Sequence, residues 1–121
     1  MMKKILIVDD EPAIVRLLSM RLTAHGYETV AANDNLQCIK SAQEEKPDLI
    51  LLDMKMPAGG GIKAIESLKA SVYTAMIPII IITAYPGEEV KKQVMELGAD
   101  DFFPKPFNSE DLIKKIEEQI A

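Results

Sequence analysis

The sequence predicts a single α/β domain in which a doubly wound, five-stranded parallel sheet is covered by five helices. Three observations predict this fold. The 121-residue chain alternates short apolar runs with segments of helical periodicity, five times in succession. Three of the runs are continuously apolar, as in parallel strands that are buried on both faces. Five such units are too few for an eight-stranded barrel, so the sheet is expected to be open.

Five strands are predicted, in the order 2-1-3-4-5 across the sheet. The three continuously apolar runs are expected at its centre, and the two shorter and more mixed runs at its edges. The fifth run ends in a proline, which a strand tolerates mainly at an edge. In chain order the predicted strands are Lys4–Asp9, Tyr27–Ala32, Asp48–Asp53, Pro78–Thr83 and Asp100–Pro104.

Each strand is followed by a predicted helix. Pro12 suits the first turn of the first helix, and Gly26 suits the left-handed position after its end. The last helix is expected to be capped by Asn108 or Ser109. The inward-facing residues, at helical spacing, are predicted to be Ile14, Leu17, Leu18 and Leu22, then Cys38, Ile39 and Ala42, then Ile62, Ile65 and Leu68, then Val90, Val94 and Leu97, and finally Leu112, Ile113, Ile116 and Ile120.

Composition excludes several classes of protein. The net charge of −5 argues against binding of nucleic acid by this domain. Cys38 is the only cysteine, which indicates a reducing compartment and no intrachain disulfide. The apolar run near the N-terminus is too short for a signal peptide, and no run approaches the roughly 20 apolar residues of a membrane span. We therefore expect one cytoplasmic domain over residues 1–121 that binds no membrane.

Polar residues follow the apolar runs at the points where the predicted strands end. Asp9 and Asp10 follow the first run, Asp53 the third, Thr83 the fourth and Lys105 the fifth. The carboxyl ends of parallel strands meet at one sheet edge, where ligands of open α/β sheets bind. Three carboxylates there would repel one another without a cation, and Mg²⁺ prefers oxygen ligands. The pattern predicts a site for Mg²⁺ and a phosphoryl group.

Each of these residues also has an ordinary structural interpretation. The Asp9-Asp10 pair can belong to an acidic loop that caps the helix at Pro12, and Asp53 can cap a turn. Thr83 can be a β-branched strand residue. The functional interpretation depends on all of them lying together.

From end to end the chain resembles the receiver domains of two-component response regulators. The resemblance rests on separate motifs in matching order: the Asp9-Asp10 pair, the segment 51–57, the Thr83-Ala84 pair and the segment 98–107. It implies a flavodoxin-like fold. It also implies a phosphorylation-dependent signalling switch, not an enzyme that acts on a separate substrate.

The resemblance implies a phosphoryl acceptor and a metal site. Asp53 would accept a phosphoryl group from a phosphohistidine of a sensor histidine kinase or a histidine phosphotransfer protein. Mg²⁺, with Mn²⁺ as an alternative ion, would be held by Asp10, by Asp9 directly or through water, by Asp53 and by the backbone carbonyl of Lys55. Lys105 would pair with the phosphoryl oxygens.

The resemblance also implies how the signal is passed on. Thr83 would move toward the phosphoryl group, and Phe102 would be the aromatic residue that turns inward behind it, whereas Phe103 is expected in the core. A downstream target would bind a face formed by the fourth helix, the fifth strand and the fifth helix. The glycines Gly59 and Gly60 depart from the usual pattern and are expected to loosen the loop after Asp53.

Three other functions remain as alternatives. A phosphatase of the haloacid-dehalogenase type would carry an aspartate two positions after Asp53, where this chain has Lys55. A flavodoxin-like electron carrier is disfavoured because Asp9, Asp10 and Glu11 would repel the phosphate of FMN. A receiver fold kept only for protein binding would not need the complete set of polar residues. The cognate kinase, the target, the oligomeric state and any attachment to a longer protein stay open.

Overall fold

A computed structural model describes residues 2–54, 60–84, 87–105 and 107–120. Five strands alternate with five helices over this part of the chain. The strands are β1 Lys4–Val8, β2 Glu28–Ala32, β3 Leu49–Asp53, β4 Ile79–Thr83 and β5 Asp101–Pro104. The helices are α1 Pro12–Ala24, α2 Asn35–Glu45, α3 Gly60–Ala70, α4 Glu88–Leu97 and α5 Ser109–Ile120.

The five strands form one parallel sheet in the order β2-β1-β3-β4-β5. The predicted fold class and strand order are therefore confirmed, with β2 and β5 at the edges. The predicted strands were longer by one residue each. Asp48 and Asp100, which precede β3 and β5, instead accept hydrogen bonds from the backbone N–H of Lys4 and Ile79, both at 2.8 Å. These hydrogen bonds stabilise the amino edge of the sheet, which is opposite the edge where the predicted site lies.

The core consists of two apolar layers, one on each face of the sheet. Successive strand residues point to opposite faces, so a central strand must be apolar at every position. One layer packs under α2, α3 and α4 and includes Leu6, Val8, Ile50, Leu52, Ile79 and Ile81. The other packs under α1 and α5 and includes Ile5, Ile7, Leu49, Leu51, Ile80 and Ile82. This two-sided burial is the reason for the three continuous apolar runs.

One predicted core residue lies at the surface. Leu17 is 41% exposed, whereas Leu18 and Leu22 are buried. The prediction for Leu17 is wrong because the buried stripe of α1 recurs every four residues through Leu18 and Leu22, and Leu17 lies about a quarter-turn to the side. Leu17 lines a shallow groove of about 440 Å³ between α1 and the segment that precedes α5.

Two smaller predictions are confirmed. Cys38 is fully buried in the layer under α2, and burial raises the pKa of its thiol to about 12. The thiol is therefore protonated and unreactive at neutral pH. Asn108 caps α5, because its side-chain oxygen accepts hydrogen bonds from the backbone N–H of Glu110 at 2.8 Å and of Asp111 at 3.4 Å.

Two glycines bring the start of α3 close to the end of β3. Gly60 has a φ of +70°, and a Cβ there would lie 3.0 Å from the carbonyl oxygen of Met54. A Cβ at Gly61 would lie 2.8 Å from the Cα of Met54, and the Gly61 N–H donates to the Met54 carbonyl at 2.9 Å. Gly60 thus serves a close approach of α3 to β3, while residues 55–59 lie outside the described residues, so the expected loosening of the loop after Asp53 stays a prediction.

This close approach predicts a large difference between two identical substitutions. Gly61→Ser should lower the free energy of unfolding by about 1–3 kcal/mol, because its Cβ meets backbone that must shift. Gly87→Ser, at the N-cap of α4, should change it by less than about 0.5 kcal/mol, since serine caps helices and no described atom lies within 4 Å of the new Cβ. Urea unfolding of both variants measures the two effects, and equal changes would contradict the packing argument.

Candidate functional site

The carboxyl edge of the sheet brings the predicted polar residues together. Asp53 and Thr83 are the last residues of β3 and β4. Asp9 follows β1 directly, and Lys105 follows β5. The backbone holds the two flanking residues, because the Asp9 N–H donates to the Ala32 carbonyl at 3.2 Å and the Lys105 N–H donates to the Thr83 carbonyl at 2.6 Å. Parallel strands in register thus place four separate chain segments at one cleft.

Three carboxylates form an acidic cluster in this cleft. Asp9, Asp10 and Asp53 each contribute an oxygen, and these oxygens lie within 4.8 Å of one another. Asp9 and Asp53 are buried, at 1% and 3% exposure, whereas Asp10 is exposed. An all-oxygen donor set with one open side suits a hard divalent cation that keeps several water ligands, as Mg²⁺ does. The residues present therefore fit a magnesium ion.

The ammonium of Lys105 lies in the same cluster. Its Nζ is 2.9 Å from Asp9 Oδ2, 3.4 Å from Glu11 Oε1 and 3.7 Å from Asp53 Oδ1. Burial lowers the pKa of Lys105, but the hydrogen bond and the charge of Asp9, with the charges of Asp53 and Glu11, outweigh it and raise this pKa above its ordinary value. Lys105 therefore carries its positive charge beside Asp53 at neutral pH.

Glu11 belongs to the site although the sequence did not single it out. It occupies the N-cap position of α1, yet its side chain makes no capping hydrogen bond. Its carboxylate instead contacts Lys105, and its backbone N–H donates to Asp9 Oδ1 at 2.9 Å. Glutamate directly before Pro12 is a poor N-cap residue, and this was the signal that could have indicated another role. The acidic loop thus does more than cap a helix.

Thr83 and Phe102 lie on the α4 side of the cleft. Thr83 is 1% exposed at the end of β4, paired in register with Pro104. Phe102 is half-buried against the core layer under α4, and it also lines an open groove of about 430 Å³ with Pro104 and residues of α4. Phe103 points to the other face, where it is half-buried and packs edge-on against Phe107 with ring centroids 6.3 Å apart. The rings of Phe102 and Phe103 are therefore each packed on one side and open on the other.

One predicted ligand cannot be placed. Lys55, whose backbone carbonyl is expected to bind the metal, lies outside the described residues, so that role stays a prediction. Among the described helices, none has the length and apolar character that crossing a membrane requires.

Comparison with known proteins gives the same family throughout. The family model "Response regulator receiver domain" matches residues 5–117. The alkaline phosphatase synthesis transcriptional regulatory protein PhoP of Bacillus subtilis is 41% identical over 117 residues, which are 97% of this chain and 48% of that protein. The phosphate regulon transcriptional regulatory protein PhoB of Pseudomonas aeruginosa is 41% identical over 115 residues, 95% of this chain and 50% of that protein. The chain spans about half the length of these relatives.

Solved structures show the same architecture. The chemotaxis protein CheY4 of Vibrio cholerae superimposes with a TM-score of 0.93 at 30% identity, over 98% of this chain and 99% of that one. The receiver domain of the sensor histidine kinase PA1611 of Pseudomonas aeruginosa superimposes with a TM-score of 0.90 at 27% identity, over 99% of this chain and 98% of that one. That structure contains a magnesium ion coordinated in its active-site cleft.

Proposed function

The chain belongs to the response-regulator receiver domains, and from this premise we propose that Asp53 is the phosphoryl acceptor of a two-component phosphorelay. A single arrangement carries the proposal. The Asp53 carboxylate lies at the sheet edge, with two further carboxylates grouped around it and the Lys105 ammonium 3.7 Å from its Oδ1. A nucleophilic carboxylate beside a cation site and a fixed positive charge is what phosphoryl transfer to aspartate requires.

The transfer is a displacement at phosphorus. A carboxylate oxygen of Asp53 forms the new O–P bond, the P–N bond of the phosphohistidine breaks, and its electron pair stays on the imidazole nitrogen. Asp9, Asp10, Asp53 and the carbonyl of Lys55 would hold Mg²⁺, and the bound ion would neutralise charge on the phosphoryl oxygens. Mn²⁺ stays a predicted alternative. Lys105 pairs with a phosphoryl oxygen from the other side, which stabilises the charge that develops in transfer.

The phosphoryl group then changes the face formed by α4, β5 and α5. It adds acceptor oxygens next to Thr83, whose hydroxyl can donate to them. Phe102 lies between the core layer and an open groove beside α4, so a change of its rotamer would alter the surface there. A small movement of Thr83 is thereby converted into a change of surface beside α4, where a downstream target binds.

The groove beside α1 of this chain is a suitable docking surface for the phosphodonor protein. Ile14, Leu17 and Phe107 line the shallow groove beside Lys105, and Leu17 is exposed there without a packing role in the core. An apolar groove next to the acceptor suits a helix that carries a phosphohistidine. The donor in our proposal is accordingly a sensor histidine kinase or a histidine phosphotransfer protein.

The proposal is tested by incubating the protein with a small acyl phosphate or phosphoramidate. With Mg²⁺ present, intact mass should show the addition of one phosphoryl group, and borohydride reduction followed by peptide mapping should locate it at Asp53. Chelation of the metal should reduce the rate by at least about 100-fold, because charge neutralisation is the main catalytic effect available here. Rapid labelling without a metal, or labelling elsewhere, would refute the proposal.

In this proposal the domain is regulatory and does not act on a separate substrate. A phosphatase that forms an aspartyl phosphate would release phosphate from many equivalents of donor, and the same incubation measures that turnover. The cytoplasmic location, the single-domain extent over 1–121 and the absence of nucleic-acid binding by this domain stay predictions.

A further inference from the structure

The carboxylate of Glu11 lies beside Lys105, and the roles proposed for the acceptor and metal residues do not explain this position. Both carboxylate oxygens of Asp9 are already in use: Oδ1 accepts the Glu11 N–H at 2.9 Å, and Oδ2 accepts Lys105 Nζ at 2.9 Å. A divalent cation at Asp9 would repel the ammonium that Oδ2 already accepts from, so the two cations compete for this carboxylate. The Glu11 backbone is held at the start of α1, where its carbonyl accepts from the N–H groups of Ile14 and Val15 at 3.1 and 3.2 Å, and its neutral N–H does not repel a cation, so Lys105 is the partner that leaves.

Lys105 cannot simply move into water. Its side chain is 10% exposed, and withdrawing a charged ammonium from an acceptor inside a cleft is unfavourable unless another acceptor replaces it. Two carboxylates besides Asp9 lie near its Nζ. Asp53 is itself an expected metal ligand, so it can accept the ammonium only in part. The other carboxylate is that of Glu11, whose Oε1 lies 3.4 Å from Lys105 Nζ.

Glu11 has the properties of such an acceptor. Its side chain is 61% exposed, so it can follow the ammonium without repacking the core. Its backbone is tied to Asp9, which keeps the carboxylate beside the cleft. We propose that Glu11 is a positioning residue that takes over the Lys105 ammonium when a divalent cation takes Asp9. This inference rests on the proposed magnesium site and adds a residue that governs its affinity.

The proposal gives the sign of the effect. Without the Glu11 carboxylate, Lys105 is held by Asp9 and Asp53 alone, so a cation competes with it less well. Removal of one negative charge near the cleft acts in the same direction. Glu11→Gln should therefore raise the dissociation constant for Mg²⁺ by about threefold to fivefold, the range that a partly exposed ion pair supports.

The experiment measures cation binding directly, without phosphorylation. Mn²⁺ serves as the probe, followed by loss of the electron paramagnetic resonance signal of the free ion, and Mg²⁺ is measured by competition. Glu11→Asp separates the contact from the charge, because it keeps the charge but is too short to reach Lys105. Glu44→Gln, at an exposed position near the end of α2, is the matched control for the change in net charge.

The proposal predicts that Glu11→Asp weakens binding nearly as much as Glu11→Gln, and that Glu44→Gln leaves it unchanged. In a Lys105→Met background the effect of Glu11→Gln should largely disappear. A second measurement is kinetic: Glu11→Gln should raise the Mg²⁺ concentration for half-maximal phosphorylation, while the rate at saturating Mg²⁺ stays within about twofold.

The outcomes distinguish this inference from the proposed function. Wild-type affinity in Glu11→Gln would overturn the role of Glu11 and leave the metal site intact. Wild-type affinity in Glu11→Asp together with weak binding in Glu11→Gln would show a general charge effect and also overturn it. If the wild-type protein bound no divalent cation, the proposed magnesium site itself would be wrong. Should Lys105→Met fail to fold, the comparison of the two Glu11 variants still decides.

Discussion

An Asp53→Asn variant is expected to take up no phosphoryl group under conditions that label the wild-type protein fully. The amide has the shape of the carboxylate but is not a nucleophile at neutral pH, so we expect a loss of at least about 10⁴-fold in rate. Asp53 is 3% exposed, and the amide has the same shape and nearly the same volume as the carboxylate, so the fold should be retained. Intact mass spectrometry after incubation with a small phosphodonor and excess Mg²⁺ measures the effect.

The control for this prediction is Asp111→Asn. Asp111 is an exposed carboxylate in the first turn of α5, and its substitution makes the same change in charge and shape. This variant should be labelled at the wild-type rate. Persistent labelling of Asp53→Asn would move the acceptor to another carboxylate of the cluster, with Asp10 as the exposed candidate.

A Lys105→Met variant is expected to change phosphorylation and metal binding in opposite directions. Loss of the charge partner should slow phosphorylation at saturating Mg²⁺ by about 100-fold or more. The same change frees Asp9 Oδ2, to which Lys105 donates at 2.9 Å, so Mg²⁺ should bind more tightly than in the wild-type protein. Partial unfolding would weaken both phosphorylation and metal binding, so it cannot produce changes of opposite sign.

Lys4→Met is the matched control for Lys105. Lys4 also pairs with two carboxylates, those of Glu28 and Glu45, but it lies at the start of β1, at the opposite edge of the sheet. Its substitution should leave both measurements unchanged, because its exposed ion pairs lie far from the acidic cluster. Weaker Mg²⁺ binding in Lys105→Met would mean that the ammonium supports the cluster and does not compete for it.

Much of the fold could be predicted because local pattern and global architecture agree. Burial on both faces makes a central strand continuously apolar, so β1, β3 and β4 stand out against the mixed edge strands. The strand ends then place Asp9, Asp53, Thr83 and Lys105 at one edge without any knowledge of distances. Leu17 was predicted wrongly because helical spacing alone does not say how wide the buried stripe of α1 is.

Residues with roles set by contact were harder to predict. Glu11 sits in an N-cap position, and nothing in its neighbourhood along the chain indicates a partner 94 positions away. Gly60 was expected only to loosen the loop after Asp53, whereas Gly60 and Gly61 also allow α3 to begin against the backbone of Met54. In both cases the deciding neighbour belongs to another element, so only packing can identify it.

The order of the elements, the edge at which the chemistry lies and the residue types available there could be read from the chain. They follow from the periodicity of apolar residues and from the points where each run stops, which are local properties. The pairing of Lys105 could not be read in this way: it lies closest to Asp9, at 2.9 Å, with Asp53 farther away at 3.7 Å. Side-chain distances in the cleft depend on the register of neighbouring strands and on where each loop leaves the sheet, and no single segment encodes either.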